Sequence, residues 1–235
     1  MYKNKKILGL ITARGSSSSI PKKNIALLAG RPLVSYTIEA AKKSQLLTRT
    51  IVSTDNEEIA TICRQSGVEV PFMRPAELAQ HDTPHIPVVK HALQWLKENT
   101  NEEYDYVMIL QPTSPLRTAE DIDIAIKKVV DTGADSVMGM IELTDFDPVK
   151  IKKIDTEDII LPMFAEEGPQ SARRQAGAKA YKRNCAIYLT KTEHIMNNDL
   201  FGPVSRAYIM PAERSLDINE PFDLKLAEFF LSKKV

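Results

Sequence analysis

Residues 7–24 read ILGLITARGSSSSIPKKN, an apolar run that passes directly into a loop of small and basic residues. The run Ile7–Ile11 has no polar side chain, which is typical of a strand buried on both faces of a parallel sheet. The loop adds a glycine, four consecutive serines and three cations, Arg14, Lys22 and Lys23. Backbone N–H groups among small residues can surround an anion, and ligands of open α/β sheets bind at the carboxyl ends of strands. The segment therefore predicts an α/β fold with a polyphosphate site in this loop.

The loop matches neither the Walker A sequence nor GxGxxG, so it does not indicate either of those nucleotide-binding families. Its composition also fits a solvated, serine-rich surface loop with scattered basic residues, and this alternative stays open at the level of composition.

Short β-type runs alternate with helical periods along the first 141 residues. After Ile7–Ile11, strands are predicted at Thr50–Ser53, Val68–Phe72, Asp105–Leu110 and Ser136–Ile141. Helices are predicted at Leu33–Lys43, from Asp55–Glu58 to Gly67, from Pro84 or Pro87 to about Glu98, and at Asp121–Val130. This alternation predicts an α/β fold built on a mostly parallel twisted sheet, with helices on both faces.

The pattern changes between residues 144 and 182, where two β-like runs precede a basic stretch of small residues. The runs are Val149–Ile154 and Ile159–Phe164, and they predict a small inserted hairpin arm outside the main sheet. Later segments resume the main fold with strands at Asn184–Leu189 and Ala207–Met210 and a closing helix at Pro221–Ser232. The whole chain, 1–235, is therefore predicted to be a single domain that carries the arm 144–182.

Charge is distributed unevenly although the 235-residue chain has a formal net charge of +0. Residues 1–49 hold ten basic and one acidic group, residues 50–168 hold ten and 23, and residues 169–235 hold eleven and seven. These counts give net charges of +9, −13 and +4. The neutral total argues against a nucleic-acid-binding protein, while the two basic ends favour anionic ligands.

The two cysteines and the first apolar run indicate where in the cell the protein is located. Cys63 and Cys185 are far apart and lack metal-ligand spacing, which favours a reducing, cytoplasmic environment. The first apolar run is too short for a signal or a membrane span, so no membrane association is expected. The histidines His81, His91 and His194 also have no spacing typical of a metal site.

Six ordered blocks between residues 11 and 224 resemble one enzyme family. They are ARGSSSSIPKKN, VSTDNEEIA, RPAELAQHDTP, LQPTSPLR, the late RRQ followed by NCAIYL, and SLDINEPFDL. In this order they resemble the acylneuraminate cytidylyltransferases (CMP-sialic acid synthetases) and their relatives that act on legionaminic or pseudaminic acid. The resemblance implies a nucleotide-diphospho-sugar transferase-like fold and transfer of CMP from CTP to the anomeric hydroxyl of a nine-carbon acid sugar, with release of pyrophosphate. It also implies Mg²⁺, a role in cell-surface glycan synthesis, and a homodimer formed through the arm.

The same resemblance assigns residues to the nucleotide. Arg14, Lys23 and Asp217 are implied as catalytic, because they would offset charge at phosphorus and on the leaving pyrophosphate. The full set of implied nucleotide-binding residues is Ala13, Arg14, Gly15, Ser18, Lys22, Lys23, Asn24, Arg74, Thr83 and His85. Arg74 with Thr83 and His85 would read cytosine, although Arg74 also suits a salt bridge beside a helix.

The implied acid-sugar site uses a second group of residues, Gln111, Ser114, Arg173, Arg174 and Asn184. Gln111 and Ser114 follow the strand Asp105–Leu110, with Arg117 beyond them, whereas two prolines and a capping serine would equally fix this loop. Paired arginines suit a sugar carboxylate, and in the family an arm from this region reaches the partner's site. A solvated basic hairpin is the alternative for Arg173 and Arg174.

The chain departs from the family pattern at two positions. The implied metal ligands are Asp217 and Asn219, and the family has a second aspartate where Asn219 stands, so Mg²⁺ is expected to rely on Asp217. Ser18 occupies the position of a family lysine, for which Lys22 is the predicted substitute. These departures favour two alternatives: a related nucleotidyltransferase that uses Kdo, a sugar phosphate or another nucleotide, or a non-catalytic nucleotide-binding protein.

Overall fold

The computed structural model describes residues 1–144, 151–164 and 179–233. In these ranges the strands are β1 (Ile7–Thr12), β2 (Leu27–Leu28), β3 (Arg31–Pro32), β4 (Arg49–Ser53), β5 (Tyr106–Leu110), β6 (Ser136–Leu143), β7 (Lys152–Ile154), β8 (Ile160–Pro162), β9 (Ala180–Lys191) and β10 (Ser205–Ile209). The α-helices are α1 (Leu33–Lys43), α2 (Glu57–Gln65), α3 (His85–Thr100), α4 (Ala119–Thr132), α5 (Thr192–Met196) and α6 (Pro221–Ser232).

Six of these strands form one twisted sheet in the order β10-β6-β9-β5-β1-β4. β1 is parallel to both β4 and β5, and β10 is parallel to β6. β9 is antiparallel to its two neighbours, β5 and β6, so it alone of the six runs against the others. The predicted fold class, a mostly parallel sheet in an α/β fold, is confirmed.

The core lies in two layers, one on each face of the sheet. Alternate residues of β1 point to opposite faces, as strand geometry requires. Ile7 and Ile11 belong to the cluster that includes residues of α1, α2 and α4, whereas Leu8 and Leu10 belong to the cluster that includes α3. A smaller cluster joins the first loop to α6 through Ile20, Leu33 and Ala227. Helices on both faces thus explain why β1 is apolar throughout.

One predicted strand is wrong. Residues 68–72 run beside β4 but form only isolated bridges, Ile51 with Glu69 and Thr54 with Met73. Pro71 has no N–H to donate to a ladder, which explains why the pairing does not continue. The other main-sheet strands and the helices occur close to their predicted positions, while the short helix α5 was not predicted.

The predicted arm, 144–182, lies partly outside the described residues. Inside it, β7 and β8 pair as an antiparallel hairpin, as predicted. At its base, β6 and β9 stay paired out to Leu143 and Ala180, so the main sheet borders the insertion closely. Large side chains of the hairpin region are exposed, among them Ile154, Ile160 and Phe164. That the arm mediates dimerisation, and that residues 1–235 form one domain, remain predictions.

The parallel strands β1, β4 and β5 end at the same edge of the sheet, at Thr12, Ser53 and Leu110. The loops that follow them therefore meet there, as predicted for a ligand site. No helix within the described ranges is both long and apolar enough to cross a membrane.

Candidate active site

A cavity of about 260 Å³ opens at this edge of the sheet. Residues from the end of β1 and the loop after it, from the segment before α3, from the start of α3 and from the loop after β5 line it: Thr12, Arg14, Ser16, Ser17, Lys23, Asn24, Arg74, Leu78, Gln80, His81, Thr83, Pro84, His85, Val88, Gln111, Pro112 and Thr113. None of these lining residues carries a carboxylate, and three of them, Arg14, Lys23 and Arg74, are cations. The cavity is therefore suited to an anionic ligand.

The first loop is held against the start of α2. The N–H of Gly15 donates to Asp55 Oδ1 at 2.8 Å, and the buried Ala13 donates from its backbone N–H to the carbonyl of Ser53 at 3.0 Å. A Cβ at Gly15 would lie 2.8 Å from the Cβ of Asn56, the residue that caps α2. Glycine is therefore required here by the close approach of two segments.

Asn24 and Arg14 fix the two ends of this loop. Asn24 is buried, and its Nδ2 donates to the carbonyl of Arg14 at 2.8 Å. Arg14 extends across the cavity, where its Nη1 donates to the carbonyls of Gln80 and His81 at 3.0 and 2.8 Å. Arg14 thus joins the loop after β1 to the segment that precedes α3.

Lys23 connects the first loop to the far end of the chain. Its Nζ donates to the carbonyls of Ile218 and Asn219 at 3.0 and 3.3 Å, and the Ser19 hydroxyl also donates to the carbonyl of Asn219. Burial lowers the pKa of Lys23, an effect that nearby Arg14 reinforces and Asp217 opposes. The predicted catalytic residues Arg14, Lys23 and Asp217 therefore lie in one neighbourhood.

Asp217 has one carboxylate oxygen that fits a cation. Its Oδ1 is buried and accepts no hydrogen bond among the described residues, although the Cys185 thiol interacts with the same carboxylate, whereas Oδ2 accepts a hydrogen bond from Asn219 Nδ2 at 3.1 Å. No group of three or more His, Cys, Asp or Glu side chains in the described ranges could hold a metal unaided. Mg²⁺ commonly binds one or two carboxylates together with substrate phosphates and water. The donor set fits Mg²⁺ that arrives with a polyphosphate.

The predicted cytosine-reading residues Arg74, Thr83 and His85 all line the cavity. Arg74 is buried, and it donates from Nε to Ser53 Oγ at 2.9 Å and from Nη2 to the Ser53 carbonyl at 2.6 Å. These bonds replace the salt bridge that was the alternative for Arg74. Its Nη1 has no hydrogen-bond partner among the described residues, and Arg74 lines the cavity, so this donor is available to a ligand there.

Thr83 and His85 line the cavity beside Arg74. The Thr83 hydroxyl makes a long contact, 3.5 Å, to the Glu77 carbonyl. The His85 ring stacks on Tyr188 with centroids 6.4 Å apart. The concave surroundings displace solvent from His85, and together with the charges of Arg74 and Arg14 they lower its pKa. A neutral imidazole is therefore favoured beside the two cations.

The predicted sugar-binding residues in the loop after β5 differ in position, because one lines the cavity and the other is buried. Gln111 lines the cavity, whereas Ser114 is buried and its hydroxyl has no hydrogen-bond partner in the described part of the chain. Arg117 is buried below them, where it donates to the Ala186 carbonyl at 2.7 Å and to Thr37 Oγ1 at 2.8 Å. Desolvation lowers the pKa of Arg117 to about 10. The structure thus makes Arg117 a support for the loop and leaves Gln111 facing the ligand.

Asn184 is buried too, away from the lining of the cavity. Its Nδ2 donates to Ser215 Oγ at 3.0 Å and contacts the sulfur of Met210 at 3.1 Å. It therefore ties β9 to the segment that leads to Asp217. Two neighbours that the sequence did not single out also face this segment: Cys185, whose backbone is left-handed (φ 62°), and Tyr188, whose hydroxyl lies 3.5 Å from the Cys185 sulfur.

A second support for the Asp217 segment was missed by the sequence analysis. Arg214 donates to both oxygens of the fully buried Asp121, from Nε at 3.1 Å and from Nη2 at 2.9 Å, and the Tyr208 hydroxyl donates to the same carboxylate at 2.8 Å. Burial would raise the pKa of Asp121, but these hydrogen bonds and one from the backbone of Thr118 outweigh it and lower the pKa. The Thr118 to Asp121 capping box is visible in the sequence; the partner Arg214 is not.

Several predicted residues do not line the cavity: besides Ala13, Gly15, Ser114, Asn184, Asp217 and Asn219, whose contacts are given above, these are Lys22 and Ser18. Lys22 Nζ pairs with Glu58 at 2.6 Å on the surface, and Lys22 is not among the lining residues. Ser18 is exposed, with its hydroxyl 3.3 Å from His81 Nε2. Arg173 and Arg174 lie outside the described residues, so their predicted contact with the sugar carboxylate stays a prediction.

Comparison with known proteins identifies the family. The cytidylyltransferase family profile matches residues 8–204. The CMP-N,N'-diacetyllegionaminic acid synthase of Legionella pneumophila is 32% identical over 233 residues, covering 95% of each chain. The N-acylneuraminate cytidylyltransferase of Escherichia coli is 31% identical over 230 residues, covering 97% of this chain and 53% of the relative. The solved structure of CMP:2-keto-3-deoxy-manno-octonic acid synthetase with CTP superposes with a TM-score of 0.71 at 15% identity, over 98% of this chain and 100% of the other, which shows a common fold. These relatives agree with the cavity at the carboxyl ends of the strands, whose lining has no carboxylate. The chain belongs to the cytidylyltransferase family, among the acylneuraminate cytidylyltransferases and related CMP-sugar synthases.

Proposed function

We propose that this cytidylyltransferase transfers CMP from CTP to the anomeric hydroxyl of a nine-carbon acid sugar of the sialic, legionaminic or pseudaminic type, for cell-surface glycan synthesis. The observation that carries the proposal is the cavity in which Arg14, Lys23 and Arg74 are gathered without a carboxylate; Lys23 also interacts with the charge of Asp217, whose Oδ1 has no hydrogen-bond partner among the described residues. The names of the two relatives, one a legionaminic acid synthase and one an N-acylneuraminate enzyme, support the substrate class.

In the proposed reaction the anomeric oxygen forms a bond to the α-phosphorus of CTP, and the bond from that phosphorus to the β-bridging oxygen breaks. Pyrophosphate leaves with the bonding electron pair, and the hydroxyl proton passes to solvent. No covalent enzyme intermediate is required, so the protein contributes position and charge. Arg14 and Lys23 would neutralise the leaving pyrophosphate, because both cations are already fixed by hydrogen bonds to backbone carbonyls.

The loop that carries these two cations would supply the remaining phosphate contacts. Ala13, Gly15 and Asn24 hold its backbone in place, and Ser18 brings a hydroxyl to its outer side. Lys22 is occupied by Glu58, so the proposed grip on the triphosphate does not depend on it.

The base and the sugar would occupy different ends of the cavity. Arg74, with Thr83 and His85 beside it, would read the cytosine edge through its remaining Nη1 donors. Gln111 would contact the acid sugar directly, whereas Ser114 and Asn184 are buried and would act on the sugar by holding the loops around it. Arg173 and Arg174 remain proposed partners of the sugar carboxylate.

Mg²⁺ is the proposed metal, with Asp217 as its protein ligand. When bound, the ion would supply positive charge at the phosphates. Asp217 would offer the unpartnered Oδ1, while Asn219 holds the other oxygen through Nδ2 and contributes to the position of the carboxylate.

A homodimer formed through the arm 144–182 is also proposed, and it is supported by the exposed apolar side chains of the β7–β8 hairpin. Cys63 and Cys185 are free thiols, which supports the proposed cytoplasmic location. Light scattering on the purified protein tests the dimer, and a monomer would refute a role for the arm between protomers.

Pyrophosphate release tests the function. The protein is incubated with CTP and Mg²⁺ and with neuraminic, legionaminic or pseudaminic acid, or with the eight-carbon Kdo, and the same panel is repeated with GTP, UTP and ATP. We expect release with CTP and at least one nine-carbon acid, and its loss in Asp217→Ala. Release only with Kdo or only with another nucleotide would favour a related nucleotidyltransferase. Binding of CTP without turnover on any sugar would favour a non-catalytic protein.

A further inference from the structure

The proposed triphosphate site has fewer free cations than its sequence suggests. Of the three basic residues in the first loop, Lys22 is paired with Glu58 outside the cavity. Arg74, the third cation that lines the cavity, uses Nε and Nη2 to hold Ser53. Arg14 and Lys23 are therefore the two cations of the first loop that face a triphosphate, a polyanion that carries several charges.

His81 faces the first loop from the other side of the cavity. It lines the cavity, and its Nε2 lies 3.3 Å from the hydroxyl of Ser18. Its backbone is fixed because its carbonyl accepts a hydrogen bond from Arg14 Nη1 at 2.8 Å. The same arginine that is proposed to bind phosphate thus holds the backbone of the residue that carries the imidazole.

The surroundings of His81 favour its use as a phosphate donor. The charged and titratable groups among the other lining residues are Arg14, Lys23, Arg74 and His85, and none is an acid that would pair with the ring. Both His81 and Ser18 are exposed, so a ligand oxygen can reach the space between them without displacing packed side chains. An imidazole N–H and a hydroxyl are both hydrogen-bond donors to phosphate.

We propose that His81 is a further triphosphate-binding residue, whose Nε2 donates to a β- or γ-phosphate oxygen beside the Ser18 hydroxyl when CTP binds. This inference rests on the proposed function, because it takes CTP as the ligand. It gives a role to a histidine that the sequence alone placed among ordinary surface residues. It also places an additional phosphate donor on the segment before α3 and not at Lys22.

Calorimetric titration with CTP and with CMP, both in MgCl₂, tests the proposal on four proteins and the wild type. The variants are His81→Ala, Ser18→Lys, the double variant, and Lys97→Ala, which removes a charge from an exposed pair with Glu103 at the opposite edge of the sheet. We expect His81→Ala to weaken CTP about tenfold and CMP less than about twofold, because CMP lacks the β- and γ-phosphates. Since position 18 faces the same space, Ser18→Lys in the double variant should restore CTP affinity to within about threefold of wild type. Lys97→Ala should bind both ligands as the wild type does.

Two results would overturn the assignment. Equal losses for CTP and CMP in His81→Ala would show that the residue only shapes the cavity, and unchanged CTP affinity would show that it does not contact phosphate. If the wild type binds another nucleoside triphosphate instead of CTP, the cytidylyl proposal fails while the same comparison, with that triphosphate and its monophosphate, still tests His81. Binding of no triphosphate would overturn both.

Discussion

Lys23 donates a hydrogen bond from Nζ to the carbonyl oxygen of Ile218 at 3.0 Å, and so joins the first loop of the chain to the segment that contains Asp217. The ammonium group lies between Asp217, whose charge favours the protonated form, and Arg14, whose charge opposes it. Two separate parts of the proposed site, the phosphate loop and the metal ligand, therefore depend on one half-buried lysine.

The lowered pKa of Lys23 predicts how activity depends on pH. Burial disfavours the charged amine, so the ammonium loses its proton at a lower pH than an ordinary lysine does. If the cation is required, kcat/KM for CTP should fall as pH rises through that lowered pKa. Lys23→Arg keeps the cation at all accessible pH values, because arginine is effectively always protonated. We expect this variant to have lower activity but an alkaline limb moved to higher pH. The same alkaline limb in both proteins would show that another group causes it.

Asp217 and Asn219 predict the response to metal. Asp217→Asn removes the charge beside the unpartnered Oδ1 position, and we expect kcat to fall about 10²–10³-fold at saturating CTP. Asn219→Asp adds a second carboxylate 3.1 Å from the first, so it should lower the Mg²⁺ concentration needed for half-maximal activity. A Mg²⁺ titration of pyrophosphate release measures both. An Asn219→Asp variant that needs more Mg²⁺ than the wild type would contradict a shared metal site.

Gly15 predicts a loss of nucleotide affinity that a second substitution should reverse. Gly15→Ala places a Cβ 2.8 Å from the Cβ of Asn56, and overpacking of this kind costs about 1–3 kcal/mol. The loop should shift, and CTP should bind about tenfold more weakly or worse. Asn56→Gly removes the opposing Cβ at a cost of only a few tenths of a kcal/mol to the cap of α2. The double variant should therefore recover CTP affinity by calorimetry; failure to recover would mean that the clash is not the cause.

Substitution of Arg214 is expected to lower both the stability of the protein and its Mg²⁺-dependent binding of CTP. Arg214→Ala leaves the buried carboxylate of Asp121 without its cation, and we expect a loss of about 2–3 kcal/mol in the free energy of unfolding. This is below the ~3–5 kcal/mol of a fully buried pair because Arg214 is 36% exposed. Mg²⁺-dependent CTP binding should weaken as well, since Arg214 lies three residues before Asp217. Denaturant unfolding and calorimetry measure the two effects.

Arg64→Ala is the matched control for that experiment. It removes an arginine from an exposed pair with Glu57, 2.7 Å apart, and should change stability by less than about 1 kcal/mol. Equal destabilisation by the two substitutions would contradict the anchoring role assigned to Arg214.

The sequence predicted those elements whose apolar pattern alone determines them. The bounds of α1 and α6 are as predicted, because helical periodicity and an initial proline mark them locally. Residues 68–72 have an equally suitable β composition, yet pairing requires backbone donors along a neighbouring strand, and Pro71 interrupts them. The reversed direction of β9 is also a property of its partners and has no local signal.

The sequence predicted those site residues that reach the cavity because of where they stand after a strand. Arg14, Lys23 and Gln111 reach the cavity because each follows a strand that ends at the same edge. Lys22 does not line the cavity: although it directly precedes Lys23 in the sequence, its side chain pairs with Glu58. The pair between Arg214 and the buried Asp121 joins residues 93 positions apart, which no local pattern can indicate.

The bond between Lys23 and Ile218 has a consequence for how the enzyme is made. Its two residues are 195 positions apart, so the phosphate loop leaves the ribosome long before the segment that completes it. The strands and helices of the first half can assemble during synthesis, since domains fold from the N-terminal side, but a nascent chain that stops short of residue 219 would lack the carbonyl contacts that hold the ammonium and the carboxylate of Asp217. The proposed phosphate loop and metal ligand can therefore come together only after nearly all of these residues have been translated.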